Sequence, residues 1–170
     1  MATTALAKRT KILVPAILLA LVGILIASIL TAAPRQPPAM LGASASLDGG
    51  LARIHGVIPL EADGWMPPTP STALAAPPRE EMHRVRILLE LTAMEKDGLF
   101  FDPSRYAVSA LGTGEWKAVW FSPAPAEAGQ GESINATLVF ELPDRAIDLT
   151  LELPGGPGLS LGAGHHRGGK

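Results

Sequence analysis

The sequence predicts an all-β antiparallel sandwich of about seven strands, with an open barrel as the alternative, preceded by one membrane-spanning helix. Three observations point there. Several segments alternate apolar and polar residues with a period of two, as half-buried strands do. The chain holds 18 Gly and 16 Pro among 170 residues, which favours turns over long helices. Close to the start, Ile12 to Ala33 runs for 22 residues without a charge.

That run, as a helix of roughly 33 Å, is long enough for a hydrocarbon core of about 30 Å. Lys8, Arg9 and Lys11 precede it and Arg35 follows. The bias of positive charge predicts a cytoplasmic stub at 1–11, a signal anchor at 12–33 and an extracytoplasmic remainder in a single-pass arrangement at the cell membrane. Pro15 falls in the first turn, where its missing N–H is harmless. The alternative is a cleaved signal peptide, but its apolar region is normally shorter, and Thr31-Ala32-Ala33 is followed at once by Pro34. Beyond Pro34 there are 11 basic against 16 acidic side chains, a net charge of −5. Such a surface repels nucleic acid. Cysteine is absent, which excludes disulfides and thiol chemistry, so stability must come from a hydrophobic core.

Residues 34–46 (PRQPPAMLGASAS) are small and Pro-rich and read as a stalk. The folded domain is expected at 47–161. Ile54, Gly56, Ile58 and Leu60 alternate with Arg53, His55, Val57 and Pro59 as a first strand. Asp63 to Pro78 carries five prolines and no period, so it is a long loop. The clearest strand follows: Val85, Ile87, Leu89, Leu91 and Ala93 on one side, Arg84, Arg86, Leu88, Glu90 and Thr92 on the other. Lys96-Asp97-Gly98 and Asp102-Pro103-Ser104 are turn sequences, and Tyr106–Leu111 is a strand between them and the next one. Trp116–Phe121 is apolar on both faces, with Trp116 and Trp120 expected on one and Val119 and Phe121 on the other. Ile134, Ala136, Leu138, Phe140 and Leu142 mark another strand, as do Ile147, Leu149, Leu151 and Leu153. Leu159–Leu161 is a stub, and the Gly/His tail at 162–170 is expected to fray.

The segments HRVRILLELTA, FDPSRY and ESINATLVFELPDRAIDLTLEL, set behind a stub, a span and a Pro-rich stalk, resemble the extracytoplasmic immunoglobulin-like domains of actinobacterial membrane-anchored proteins. Most of those have no assigned function; they are distantly similar to a secreted mycobacterial antigen family. The resemblance covers roughly residues 47–161 and implies an immunoglobulin-like sandwich and an envelope location. No motif in it is catalytic. The paired cysteines of antibody-type members are missing.

Candidate chemistry is sparse. Gly158-Leu159-Ser160-Leu161-Gly162 matches the nucleophile-elbow spacing, but no acid follows Ser160 and no strand-to-helix context surrounds it. The close carboxylates, Glu80 with Glu81, Glu95 with Asp97 and Asp144 with Asp148, read as solvated surface charge. Asn135-Ala136-Thr137 is only a formal glycosylation acceptor. No cofactor is expected. The one metal option is copper or zinc held by His55, His83, His165 and His166, whose neutral imidazoles are suitable ligands. Trp65, Trp116, Trp120 and Phe121 are the candidates for a contact surface, with the competing reading that the 63–78 loop folds over them and Trp65 covers the strand. The expected role is therefore a non-enzymatic, membrane-tethered interaction or structural module, its partners the bilayer through 12–33 and another envelope protein; the alternative is a metal-binding accessory.

Overall fold

The computed structural model describes residues 17–24, 36–111 and 114–164. It comprises two units, Met1–Arg35 and Gln36–Lys170. In the first, residues 17–24 are helical, and their side chains are exposed. The rest of the expected anchor, 12–16 and 25–33, lies outside the described residues, among which no helix is long and apolar enough to cross a membrane.

The second unit is all-β. Its strands are β1 (Ser44–Leu47), β2 (Gly50–Pro59), β3 (Met82–Ala93), β4 (Leu99–Phe101), β5 (Ala107–Ser109), β6 (Glu115–Ser122), β7 (Ala126–Ala128), β8 (Ser133–Pro143), β9 (Thr150–Glu152) and β10 (Leu159–Ser160). Two single-turn helices, α1 (Leu60–Asp63) and α2 (Thr72–Ala75), interrupt the loop between β2 and β3. The hydrogen-bonded order is β1-β2-β3-β8-β6-β5-β9-β10, with a separate ribbon of β4 and β7. All named pairs are antiparallel.

The sheet becomes a sandwich because β6 serves both layers. Its residues 115–117 pair with β5, while Ala118 to Ser122 pair with β8. The larger layer is thus β1-β2-β3-β8-β6 and the smaller one β6-β5-β9-β10. Their inward side chains form one cluster: Val85, Ile87, Leu89 and Leu91 of β3 and Leu138, Phe140 and Leu142 of β8 meet Val108 of β5, Leu151 of β9 and Leu159 of β10. Period-two alternation in β3 and β8 puts this apolar set on one face, where burial removes it from water.

Three sequence expectations are corrected. The stalk is shorter than 34–46, because Ser44–Leu47 pairs with β2 and Ala39 bridges Leu159 in parallel. Ala39 donates its N–H to the Gly158 carbonyl at 2.9 Å and accepts from the Ser160 N–H at 2.8 Å. Small residues suit these positions because backbone rather than side chains makes the contact. The strand expected from Ile147 to Leu153 is reduced to Thr150–Glu152, since Asp148 takes a positive φ of 52° and leaves Ile147 exposed. Such a turn breaks the extended backbone that alternation alone implied. In β6, the register slips between Ala118 and Trp120, a bulge that the apolar composition did not reveal.

The FDPSRY segment is a capped turn. Asp102 accepts from the Ser104 N–H at 3.0 Å and from the Ser104 hydroxyl at 2.7 Å, capping a 3-10 turn at Pro103–Arg105. These bonds hold the Asp102 carboxyl below its ordinary value. The turn delivers Tyr106 into the core, where its ring lies 5.5 Å from that of Phe101.

Tyr106 is the sole tyrosine of the chain, and its buried hydroxyl has no hydrogen-bond partner among the described residues. Burial pushes its ionisation up to about 12 from 10.0. The neutral phenol is thus the form the fold accepts. Its contribution is complete below pH 10 and is lost as pH rises through about 12. Absorbance titration of this single phenol is expected to show a midpoint near 12, provided the fold persists. Tyr106→Phe is expected to be neutral or to stabilise by up to about 1 kcal/mol, because it removes an unpaired buried hydroxyl. A midpoint near 10 in the folded protein, or a loss above about 2 kcal/mol in the variant, would contradict this assignment.

Candidate contact surface

The outer face of the larger layer is organised in rows across the strands. Ile58 of β2, Arg86 of β3, Val139 of β8 and Trp120 of β6 are successive cross-strand neighbours. Above this row Arg84 stands opposite Glu141. Below it, around the β2 bulge, stand His55, Glu90 and Asn135.

The loop between β2 and β3 folds across the upper rows. Trp65 sits between Arg86, whose guanidinium is 4.7 Å from its ring centre, and Trp120, whose ring meets it edge-on at 5.2 Å. Val139 in the same row is fully buried, although it faces away from the sandwich core. A cation over an indole face and an edge-on indole pair are each worth about 1 kcal/mol. The loop therefore has a specific seat on the sheet.

Arg84 and Glu141 form the polar part of that seat. Both are nearly inaccessible, at 6% and 7% exposure, so each needs its charge satisfied inside the protein. The Arg84 Nε donates to Glu141 Oε2 at 3.2 Å, and its Nη1 donates to the carbonyls of Leu74 at 3.3 Å and Ala76 at 2.7 Å. Arg79 closes over the other carboxylate oxygen, with its Nε donating at 2.6 Å. The Arg84 backbone N–H donates to Glu61 Oε1 at 3.3 Å. The Arg79 hydrogen bond foremost, and Arg84 with it, hold the Glu141 carboxyl below the ordinary glutamate value against the opposing effect of burial.

The four aromatic candidates thus divide. Trp65 and Trp120 are brought together. Trp116 is not with them: it is paired opposite Val108 and packs on the core, because the bulge after Ala118 moves Trp120 to the other face. The expectation that Trp116 and Trp120 share a face is overturned. Phe121 pairs opposite the core residue Leu138, yet 43% of it is exposed, and Val119 in the bulge is 36% exposed. From Ala118 to Ser122, β6 has β8 on one side, and no strand pairs with its other edge among the described residues.

The two described histidines, His55 and His83, do not converge. The His55 Nε2 lies 2.7 Å from Glu90 Oε2, whereas the His83 Nδ1 lies 3.0 Å from Asp144 Oδ1. Gly56, next to His55, pairs with Leu88, five residues along β3 from His83, so the two residues are separated by roughly 16 Å of backbone along the strands. His165 and His166 lie outside the described residues. Among the described residues no group of three or more His, Cys, Asp or Glu is placed to hold a metal ion. Ser160 pairs within β10, in a strand pair with β9 rather than in a strand-to-helix elbow.

Arg84 and Glu141 are the residues that sequence reading passed over. The signal was present in retrospect: Arg84 near the start of β3 and Glu141, the one charge of β8, near the end of β8, both at positions that alternation places on the face away from the core. What the pattern lacked was any indication that a Pro-rich loop would cover them.

No protein-family model and no curated protein matches the chain. Among solved structures, the chain is similar to an uncharacterized β-sandwich protein from Clostridium difficile 630, with 8% identity and a TM-score of 0.44, over 78% of this chain and 99% of that one. That distant likeness carries no functional assignment, and the sandwich described above stands on the chain's own strand pairing.

Proposed function

We propose that this protein is a membrane-tethered, extracytoplasmic, immunoglobulin-like module of the cell envelope that works through protein contact and not through catalysis. The uncharged run from Ile12 to Ala33 supports the tether, as does the helical stretch 17–24 with its apolar side chains exposed. The order of the strands supports the immunoglobulin-like reading. Taken in chain order as A to G, strands β2, β3, β8 and β6 follow the A-B-E-D sequence of one immunoglobulin sheet, and β5, β9 and β10 the C-F-G sequence of the other. The actinobacterial kinship rests on the sequence pattern alone.

The observation that carries the contact reading is on β6: Val119 and Phe121 stand exposed on its Ala118–Ser122 half, which pairs with β8 and, among the described residues, with no strand on its other edge. An unpaired edge offers backbone donors and acceptors, and the two side chains add apolar area beside them. A photo-crosslinking residue at position 121, in the full chain in native membranes, is expected to capture a discrete partner. Phe121→Glu is expected to weaken that association at least about tenfold, as loss of an interface anchor does. Its thermal midpoint should stay within about 2 °C of wild type, since a surface change costs under about 0.5 kcal/mol. A marked loss of stability would return Phe121 to the core, and the absence of a discrete crosslink would remove this surface as the contact site.

A further inference from the structure

The loop from residue 60 to 81 is built unlike the strands it joins. Five prolines deprive it of backbone donors, and α1 and α2 are single turns. Most of its own backbone bonds are local, Leu74 and Ala75 donating to Ser71 and Met82 to Arg79; the exception is at its C-terminal end, where the Glu81 carbonyl accepts from the Asp144 N–H at 2.9 Å. Its attachments to the sheet run largely through side chains: Trp65 between Arg86 and Trp120, Glu61 and the carbonyls of Leu74 and Ala76 on Arg84, and Arg79 on Glu141. Near each end a residue takes the left-handed conformation, Gly64 at φ 63° and Glu81 at φ 59°. Beneath it lies Val139, fully buried but outside the sandwich core.

We propose that residues 60–81 form a strap that opens as one unit from an otherwise intact sandwich, uncovering the row of Arg86, Val139 and Trp120 together with Arg84. The physical reason is an asymmetry of anchoring. β3 and β8 are held by continuous backbone ladders and a shared core, whereas the strap's contacts with the sheet among the described residues run mainly through side chains, at the Trp65 seat and at Arg84 and Glu141, with one backbone bond at Glu81 at its C-terminal end. Segments with few buried apolar contacts and few backbone bonds to the body open below the global unfolding free energy. Opening exchanges a closed polar cover for an aromatic and cationic face, so the protein has two surfaces. This inference is independent of the membrane and contact readings above.

The test uses the full chain in detergent micelles and the Arg79–Glu80 bond as a trypsin site; it lies on an exposed stretch, and the Arg79 side chain must leave its Nε bond to Glu141 to enter the protease. Trp65→Ala removes the apolar anchor without touching the sheet. Cleavage at Arg79 is expected to accelerate about tenfold, matching the loss of one aromatic seat. Amide protection in β3 and β8 should stay unchanged. Acrylamide quenching of the two remaining tryptophans should rise, because Trp120 loses its cover. Glu141→Gln, which weakens the Arg79 contact from the sheet side, is expected to accelerate the same cleavage. If Trp65→Ala lowers the protection of β3 and β8 in parallel with cleavage, the strap is an integral part of the fold. If cleavage is unchanged in both variants, the strap is not held at these points. Either result overturns the proposal.

Discussion

Replacing Phe140 with alanine is expected to cost about 3–5 kcal/mol, the largest effect of any single truncation considered for this fold. Phe140 is fully buried on β8, the strand between β3 and β6. It pairs with Val85 on one side and Ala118 on the other. A cavity there lies where β6 begins to leave the larger layer for the smaller one, and small neighbours such as Ala118 cannot fill it. Chemical denaturation should show a lowered midpoint with an unchanged slope. Thermal unfolding should fall by more than about 10 °C. A cost below about 1 kcal/mol would mean that the two layers do not share the core described above.

Arg84→Met should be almost as damaging, at about 3–5 kcal/mol, but for an electrostatic reason. The substitution leaves Glu141 buried with Arg79 as its remaining guanidinium partner and leaves the carbonyls of Leu74 and Ala76 without their donor. Arg84→Met with Glu141→Leu should recover most of the loss, since two apolar side chains need no counter-charge. The double-mutant cycle therefore predicts a coupling of at least about 2 kcal/mol. Additive costs would show that the two side chains do not depend on one another. The design has a physical logic, because the pair provides the strap with an oriented donor at a place where an apolar face would attract less specific cover.

Some of this architecture was legible from the residues alone. In β3 the series Val85, Ile87, Leu89, Leu91, Ala93 is buried as alternation requires, and in β8 Ile134, Ala136, Leu138, Phe140, Leu142 follows the same rule. Both strands are long, so ten or more residues repeat one pattern and leave no competing period. Shorter strands carried less information. Neither β1 nor the β4–β7 ribbon was anticipated, because three or four residues such as Ser44–Leu47 or Ala126–Ala128 contain too few alternations to stand out from a loop.

The candidate site was legible as a set of residue types and illegible as an arrangement. Trp65 covering the strand was among the readings the composition allowed, and it is the one the structure adopts at Trp120. Trp116 was misplaced by a single extra residue, since a bulge inverts every side chain beyond it. His55 and His83 were both correctly placed in or at the start of early strands, yet the distance between them depends on the β2–β3 register, which local pattern does not encode.

By itself, the sequence determined which strands have an inner face, that the core must stand without disulfides, and that an uncharged run of membrane length precedes the domain. These follow from local periodicity and composition, which a chain carries before it folds. The tertiary structure alone decided that β6 would be shared between layers, that Ala39 would close against β10, and that Arg84, Glu141, Trp65 and Trp120 would meet under one strap. Those contacts join residues dozens of positions apart, and only the packing of the whole domain selects among the pairings that each local segment would accept.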